Sequence, residues 1–237
     1  MISVLIPVYN TKPAHLKECV LSCLYQTIDN YEIVIVDNGS DNLATLNILK
    51  EFEKQEKIRL FSCPRQQGKK NLSVVLNYGL QRCKFDLVAR MDSDDIMCHD
   101  RLEKQKKFLD NNSNIDIVGG QIKIFPTGIK SKHPHVVDKD VALRSFWFLN
   151  HPTVMYRRHK IISVGSYKEE PILFAEDYEL WLKCIRNNLK IRNIQDVVVL
   201  YRMHENNLSK LTETNPNYIN MLKQEQQKLK EAYDDID

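Results

Sequence analysis

Four short apolar runs, each closed by polar residues, fill the first 92 positions and constrain the fold more than any other feature of the chain. "ISVLIPV" (2–8) is short, apolar and β-branched, as a buried strand is, and "YEIVIVD" (31–37), "IRLFSC" (58–63) and "FDLVARMD" (85–92) read as three further strands. Helical spacing lies between them. After Pro13, Leu16, Cys19, Val20, Cys23 and Leu24 share one apolar face. Leu43, Leu46, Leu49 and Phe52 make a second such face, with Ser40 or Asp41 available as its cap, and "NLSVVLNYGLQRC" (71–83) reads as a third helix. Strand and helix alternating at this pace predict an α/β fold, a doubly wound and mainly parallel sheet.

In such sheets ligands bind outside the carboxyl ends of the strands. The polar clusters of this chain fall at those ends: Tyr9 and Asn10 after the first strand, "DNGSDN" (37–42) after the second, "DSDD" (92–95) after the fourth. Three separate loops are thus expected at one sheet edge, which points to a site more strongly than any one cluster does.

The second half is less regular. "IDIVGGQIKIF" (115–125), "HPTVMYRR" (151–158) and "IRNIQDVVVLYRMH" (191–204) read as extended, and "EDYELWLKCIRNN" (176–188) as an amphipathic helix with Leu180, Trp181, Cys184 and Ile185 inward. The 237 residues are read as a single domain over 1–210, with a nucleotide-type half (1–110) and an acceptor-type half (111–210), followed by a helical tail (211–237).

Composition narrows the function classes. With 43% hydrophobic and 27% charged residues the chain can bury a core, and a net charge of +3 is too small for a nucleic-acid protein. The densest basic stretch, "YRRHK" (156–160), is read as a solvated face in preference to a site for an anionic acceptor or a membrane surface. Six dispersed cysteines without a C-x-x-C pair fit reduced, buried thiols. No apolar run approaches the ~20 residues of a membrane span, and no leader precedes the first strand. The expected location is the cytoplasm, with the cytoplasmic face of a membrane left open.

Asp92 and Asp94 carry the sharpest chemistry. Carboxylates at i and i+2 in an extended loop can approach one hard cation, and Mg²⁺ or Mn²⁺ held this way keeps positions open for phosphate oxygens. The competing reading is an Asp-rich turn capping a helix that begins near His99. The position at a buried strand end, facing two other polar loops, favours the metal. Asp37, also at a strand end, can accept from a base or ribose, with Gly39 making the turn and Ser40 beside the helix start. Glu176 and Asp177 stand at a helix N-terminus, where the dipole favours an ionised carboxylate suited to take a proton, or simply a cap. His204 follows a buried strand and matters only if the fold brings it to the D-x-D.

In this order the pieces resemble the family 2 glycosyltransferases of GT-A fold, closest to bacterial enzymes of capsule and exopolysaccharide assembly. The resemblance runs from residue 2 to about 209 through "SVLIPVYN", "VDNGSDN", "LNYGL", "RMDSDDIMCHDRLEKQ", "HPTVMYRR", "AEDYELWL" and "YRMHENNLS". It implies that Pro7, Tyr9 and Asp37 hold the base and ribose of a nucleotide-sugar donor, with Asn10, Gly39 and Ser40 in the same loops. It implies that Asn77, Arg90 and Ser93 support the donor pocket. Asp92 and Asp94 would bind a divalent cation and the diphosphate, Asp94 being favoured as the direct ligand and His204 being a candidate to complete the shell. Asp177 would be the general base of an inverting transfer to a glycan or lipid-linked acceptor. Uridine diphosphate is the implied nucleotide. Asn38 departs from the family's second Asp, Asn71 and Phe85 stand where Gly is frequent, and Lys69 and Lys70 lie where a diphosphate could pass.

Two rivals remain at this point. A sugar-phosphate nucleotidyltransferase would carry a Gly-rich basic loop after the first strand, and "PVYNTKP" has no Gly. A catalytically silent sugar- or partner-binding module on the same fold would have no need to keep Asp37, Asp92, Asp94, Asp177 and His204 together.

Overall fold

A computed structural model describes residues 1–63, 72–169, 175–204 and 216–234, which form one mixed nine-stranded sheet between two helical layers. The first half runs β1 (Ile2–Val8), α1 (Pro13–Leu24), β2 (Tyr31–Asp37), α2 (Leu43–Phe52), β3 (Ile58–Ser62), α3 (Leu72–Leu80) and β4 (Leu87–Arg90). A short β5 (Ile96–Met97) and α4 (Arg101–Asn111) lead to β6 (Ile117–Phe125), β7 (Val136–Val137) and α5 (Lys139–Arg144). The chain closes with β8 (Met155–Arg157), α6 (Arg158–Ser163), α7 (Glu176–Arg186), β9 (Ile191–Arg202) and α8 (Pro216–Asp234). The strand order is β3–β2–β1–β4–β8–β6–β9–β5, with β7 beside β9.

The parallel part is the half whose alternation is plainest. β3, β2, β1 and β4 run parallel, so their carboxyl ends share an edge. Both faces of β1 and β2 are covered, which explains their unbroken apolar runs, whereas the edge strand β3 is only partly buried: Ile2, Val4, Ile6 and Val8 face α1, α2 and α4, while Leu5, Val34 and Val36 face α3 and α7. Gly79 of α3 lets that helix approach β1, because a Cβ there would sit 2.3 Å from Leu5 Cδ1. Beyond β4 the sheet turns mixed: β8 is antiparallel to β4 and β6, and β9 is parallel to β6.

Three local expectations need correction. Asn42 caps α2 by accepting from Thr45 N at 3.1 Å, leaving Ser40 and Asp41 free for the neighbouring loop, and Leu43 is 76% exposed because the helix starts one residue past the apolar stripe. "HPTVMYRR" is not one strand; Pro152 opens a 3₁₀ turn over His151–Thr153 before the three residues of β8. "YRRHK" is solvated only in part: Tyr156 is buried, Arg157 donates to the carbonyls of Leu109 and Ile115 and Arg158 to Leu80, while His159, paired with Asp86, and Lys160 reach solvent. All six cysteines are free and five are buried, as the spacing suggested. No helix of the described residues is long and apolar enough to cross a membrane. Asn71, Lys69 and Lys70 lie outside the described residues.

The junction of the two sheet halves rests on one buried cation. Arg101, 0% exposed at the start of α4, donates to the carbonyls of Arg90, Pro152 and Val154 and to Gln105 Oε1. Burial pushes its pKa down to about 10, which leaves it protonated near neutrality. Arg101→Leu would remove this donor from the carbonyls of Arg90 and Pro152, while Val154 O keeps its bond from Arg90 N, so unfolding free energy in urea is expected to fall by roughly 2–4 kcal/mol. A loss under ~0.5 kcal/mol would show that water replaces the guanidinium.

Candidate functional site

The loops after β1 and β2 are locked together by their own side chains. Asp37 Oδ1 accepts from Ser40 Oγ at 2.6 Å, and Ser40 Oγ accepts from Asn10 N at 2.9 Å. Asn10 Oδ1 accepts in turn from the backbone N–H groups of Asp41 and Asn42, each at 3.0 Å. Gly39 (φ 70°) and Asn10 (φ 47°) take the left-handed conformation that Gly and Asn tolerate best, which lets both loops fold back at the strand ends. The D-x-D loop joins them through Thr11 Oγ1 and Ser93 Oγ, 2.6 Å apart. α1 supports that loop from beneath: Cys19 Sγ donates to Asp92 O at 3.1 Å, and Ser22 Oγ accepts from Met97 N. The convergence expected from strand order is therefore present and cross-braced, with Pro7, Tyr9, Asn10, Asp37, Gly39, Ser40, Ser93 and both D-x-D carboxylates at one edge.

Each D-x-D carboxylate is held by one oxygen. Arg90, buried at the end of β4, donates Nη1–H to Asp92 Oδ2 at 2.6 Å. His204 Nε2 lies 2.9 Å from Asp94 Oδ2. β5 makes this second contact possible by pairing antiparallel with β9, so that the chain leaving the D-x-D lies against the strand that ends at Arg202. Among the described residues neither Oδ1 has a hydrogen-bond partner, and both side chains reach solvent. Two outward oxygens of hard carboxylates fit a divalent cation whose other positions are filled by phosphate and water. The described residues hold no ready-made group of three His, Cys, Asp or Glu side chains.

Electrostatics agree with a site wanting positive charge. Burial and the neighbouring Asp94 push the Asp92 carboxyl up, against the pull of Arg90. Burial alone would lower Arg90, but Asp92 beside it holds the guanidinium above its usual value. Asp95 answers to a different demand: it is 0% exposed, and burial followed by the charges of Asp92 and Asp94 drives its carboxyl well up, toward the neutral acid. Its Oδ1 accepts from Arg202 N at 2.8 Å, so it ties β9 to the D-x-D turn and does not cap α4. Arg202 adds a bond from Nε to Asp94 O at 2.8 Å and an ion pair to Glu18.

The second half of the chain brings α7 within reach of the same charges. Glu176 and Asp177 open that helix, and both feel the charges of Arg90 and Asp92. Burial pushes Asp177 up to about 6, its Oδ1 accepting from Tyr178 N at 2.8 Å, and burial together with Asp177 pushes Glu176 up to about 7. Asn77 is occupied elsewhere: Oδ1 accepts from Tyr167 N and Nδ2 donates to Tyr167 O and Glu169 Oε1.

Several groups at this edge carry no motif that a single sequence displays. Arg202 is the last residue of β9 and His204 follows two residues beyond the strand, a spacing that carries no sign of either contact. His151, which burial and then Arg90 drive well below the usual imidazole range, lies 2.8 Å from the Tyr167 hydroxyl. The tail is not detached: α8 packs Leu222, Leu229 and Tyr233 on α7, and Tyr233 donates to the buried Glu179 at 2.9 Å.

A family model described as "Glycosyl transferase family 2" matches residues 3–168. The chain is 32% identical over 205 residues to the UDP-Gal:alpha-D-GlcNAc-diphosphoundecaprenol beta-1,3-galactosyltransferase of Escherichia coli, covering 83% of this chain and 72% of that one. It is 31% identical over 207 residues to the amylovoran biosynthesis glycosyltransferase AmsE of Erwinia amylovora, covering 85% and 76%. In fold it is similar to S. aureus TarS 1-349 in complex with UDP-GlcNAc, with a TM-score of 0.74 and 19% identity over 94% of this chain and 65% of that one.

Proposed function

The chain belongs to glycosyl transferase family 2, and from that premise we propose that it transfers a sugar from a uridine-diphosphate donor to a hydroxyl of a glycan or lipid-linked acceptor, inverting the anomeric configuration. One observation carries this reading: the loops after β1, β2 and β4 are bonded to one another and present Asp37, Asp92 and Asp94 at one edge. The UDP-sugar named for the galactosyltransferase and for TarS supports the nucleotide, and the diphosphoundecaprenol in the galactosyltransferase's name supports a lipid-linked acceptor.

In this mechanism Pro7, Tyr9 and Asp37 hold base and ribose, and Asp92 and Asp94 offer their Oδ1 atoms to Mg²⁺ or Mn²⁺. When bound, such an ion neutralises the diphosphate and stabilises the charge that develops as the glycosyl–phosphate bond breaks. Arg90 fixes Asp92 and His204 fixes Asp94, so neither carboxylate must be ordered during binding. Asp177 takes the acceptor proton late, once the attacking oxygen has become acidic, while the new bond forms opposite the departing UDP. A silent module on the same fold would bind donor and release no UDP.

Thermal shift against a panel of nucleotide sugars with Mn²⁺ tests the donor assignment. A UDP-sugar should stabilise the protein more than its GDP, dTDP and CMP counterparts, and equal shifts for all would remove the uridine assignment. The base assignment makes its own prediction. A group raised to about 6 is protonated below that pH, so kcat should rise with pH through about 6 and level off above. The stability sign is opposite: the folded form holds the proton more tightly than the unfolded chain, so this group's contribution is present at low pH and lost as pH rises to about 6. Asp177→Asn should flatten the acid limb of the rate profile and raise the melting temperature above pH 6.

A further inference from the structure

The loop between α5 and β8 mounts an exposed indole next to α7. Trp147 is 59% exposed, whereas the chain's other tryptophan, Trp181, is 1% exposed. The residues on either side of Trp147 are anchored on one ring: the Phe146 and Phe148 centroids lie 4.6 and 6.0 Å from that of Tyr178, whose hydroxyl donates to Ala142 O at 3.0 Å. Trp147 meets Phe146 edge to face at 5.2 Å, and its own carbonyl is held by His133 Nδ1 at 3.0 Å. Tyr178 directly follows Asp177 in the first turn of α7. An indole exposed this far gives up the stability that burial would bring, yet its backbone is fixed from both sides.

We propose that Trp147 is an acceptor subsite, a platform on which a pyranose ring of the acceptor stacks while its hydroxyl is presented to Asp177. The inference rests on the transferase reading above and adds a residue to it. The chemistry is that of a sugar's apolar face: its weakly polarised C–H bonds settle on the electron-rich face of a ring, and a rigid ring is already in place when they arrive. A free nucleotide or phosphate has no need of this surface, whose flanking residues are anchored on α7.

The two tryptophans make the test direct, since iodide quenching of exposed-indole emission reads Trp147 and spares Trp181. The full chain, with UDP and Mn²⁺ and again without them, is titrated with methyl glycosides of glucose, galactose, N-acetylglucosamine and N-acetylgalactosamine. At least one should shield the indole, and Trp147→Ala should abolish the quenchable signal. With that glycoside as acceptor, Trp147→Ala should raise its KM about 3–10-fold with little change in kcat, and Trp147→Phe should restore part of the loss. Quenching unchanged by every glycoside overturns the proposal. So does a blue shift on phosphatidylglycerol vesicles with no shielding by any glycoside, which would assign the indole to a lipid surface. UDP release without acceptor reads the donor half alone, so its absence would count against the transferase reading while shielding still decides the subsite.

Discussion

Asp177→Asn is expected to lower kcat for transfer by ~10²–10⁴-fold, about 3–5 kcal/mol of barrier, with donor KM nearly unchanged. The substitution keeps an oxygen for Tyr178 N and removes only the capacity to hold a proton. Asp177 reaches Arg90 and Asp92 only through space and makes no hydrogen bond to the D-x-D or the Asp37 loop among the described residues, so donor affinity should change little. Glu176→Gln is the necessary comparison, because burial pushes that neighbour up as well and the two carboxyls influence each other. It should cost less than tenfold, on the view that Glu176 acts through its charge on Asp177 and not on the acceptor. The reverse ranking would make Glu176 the base.

Asp94→Ala is the second large effect. It removes the Oδ1 offered to a cation and also the partner of His204 Nε2. Metal-dependent donor binding should weaken at least ~10²-fold, and excess Mn²⁺ should not restore it, because the missing group is a ligand and not a charge at a distance. His204→Ala should cost less, since it loosens Asp94 without deleting the carboxylate. If His204→Ala proves equal to Asp94→Ala, the histidine is a direct ligand and its contact with Asp94 is only the metal-free arrangement.

The parallel half and its edge could be read from the sequence because both signals there are local. Buried strands show as unbroken apolar runs, and polar strand ends follow each run directly, so "YEIVIVD" coincides with β2 residue for residue. Between the D-x-D and α7 the sequence resists such reading because several strands are very short, whereas β6 and β9 fall within runs read as extended. β8 has three residues after a 3₁₀ turn, and β5 and β7 have two each. No periodicity can be established over two or three positions. The same cause hid the long-range bracing of the site. Asp95 is one of four clustered polar residues in the sequence, and only the pairing of β5 with β9 shows that its partner is the backbone of Arg202. Asn77 reads as a pocket residue by position, and its bonds to Tyr167 depend on a contact 90 residues away. Resemblance supplied roles for Asp177 and His204 that spacing alone had left open.

UDP release tests the central claim most directly. The wild-type chain is incubated with the UDP-sugar that gives the largest thermal shift, with Mn²⁺ or with excess EDTA, and Asp94→Ala is run beside it. The account predicts measurable UDP formation with Mn²⁺, its loss in EDTA, and a fall of at least ~10²-fold in Asp94→Ala. UDP released equally fast with and without metal, or by Asp94→Ala at the wild-type rate, would contradict it.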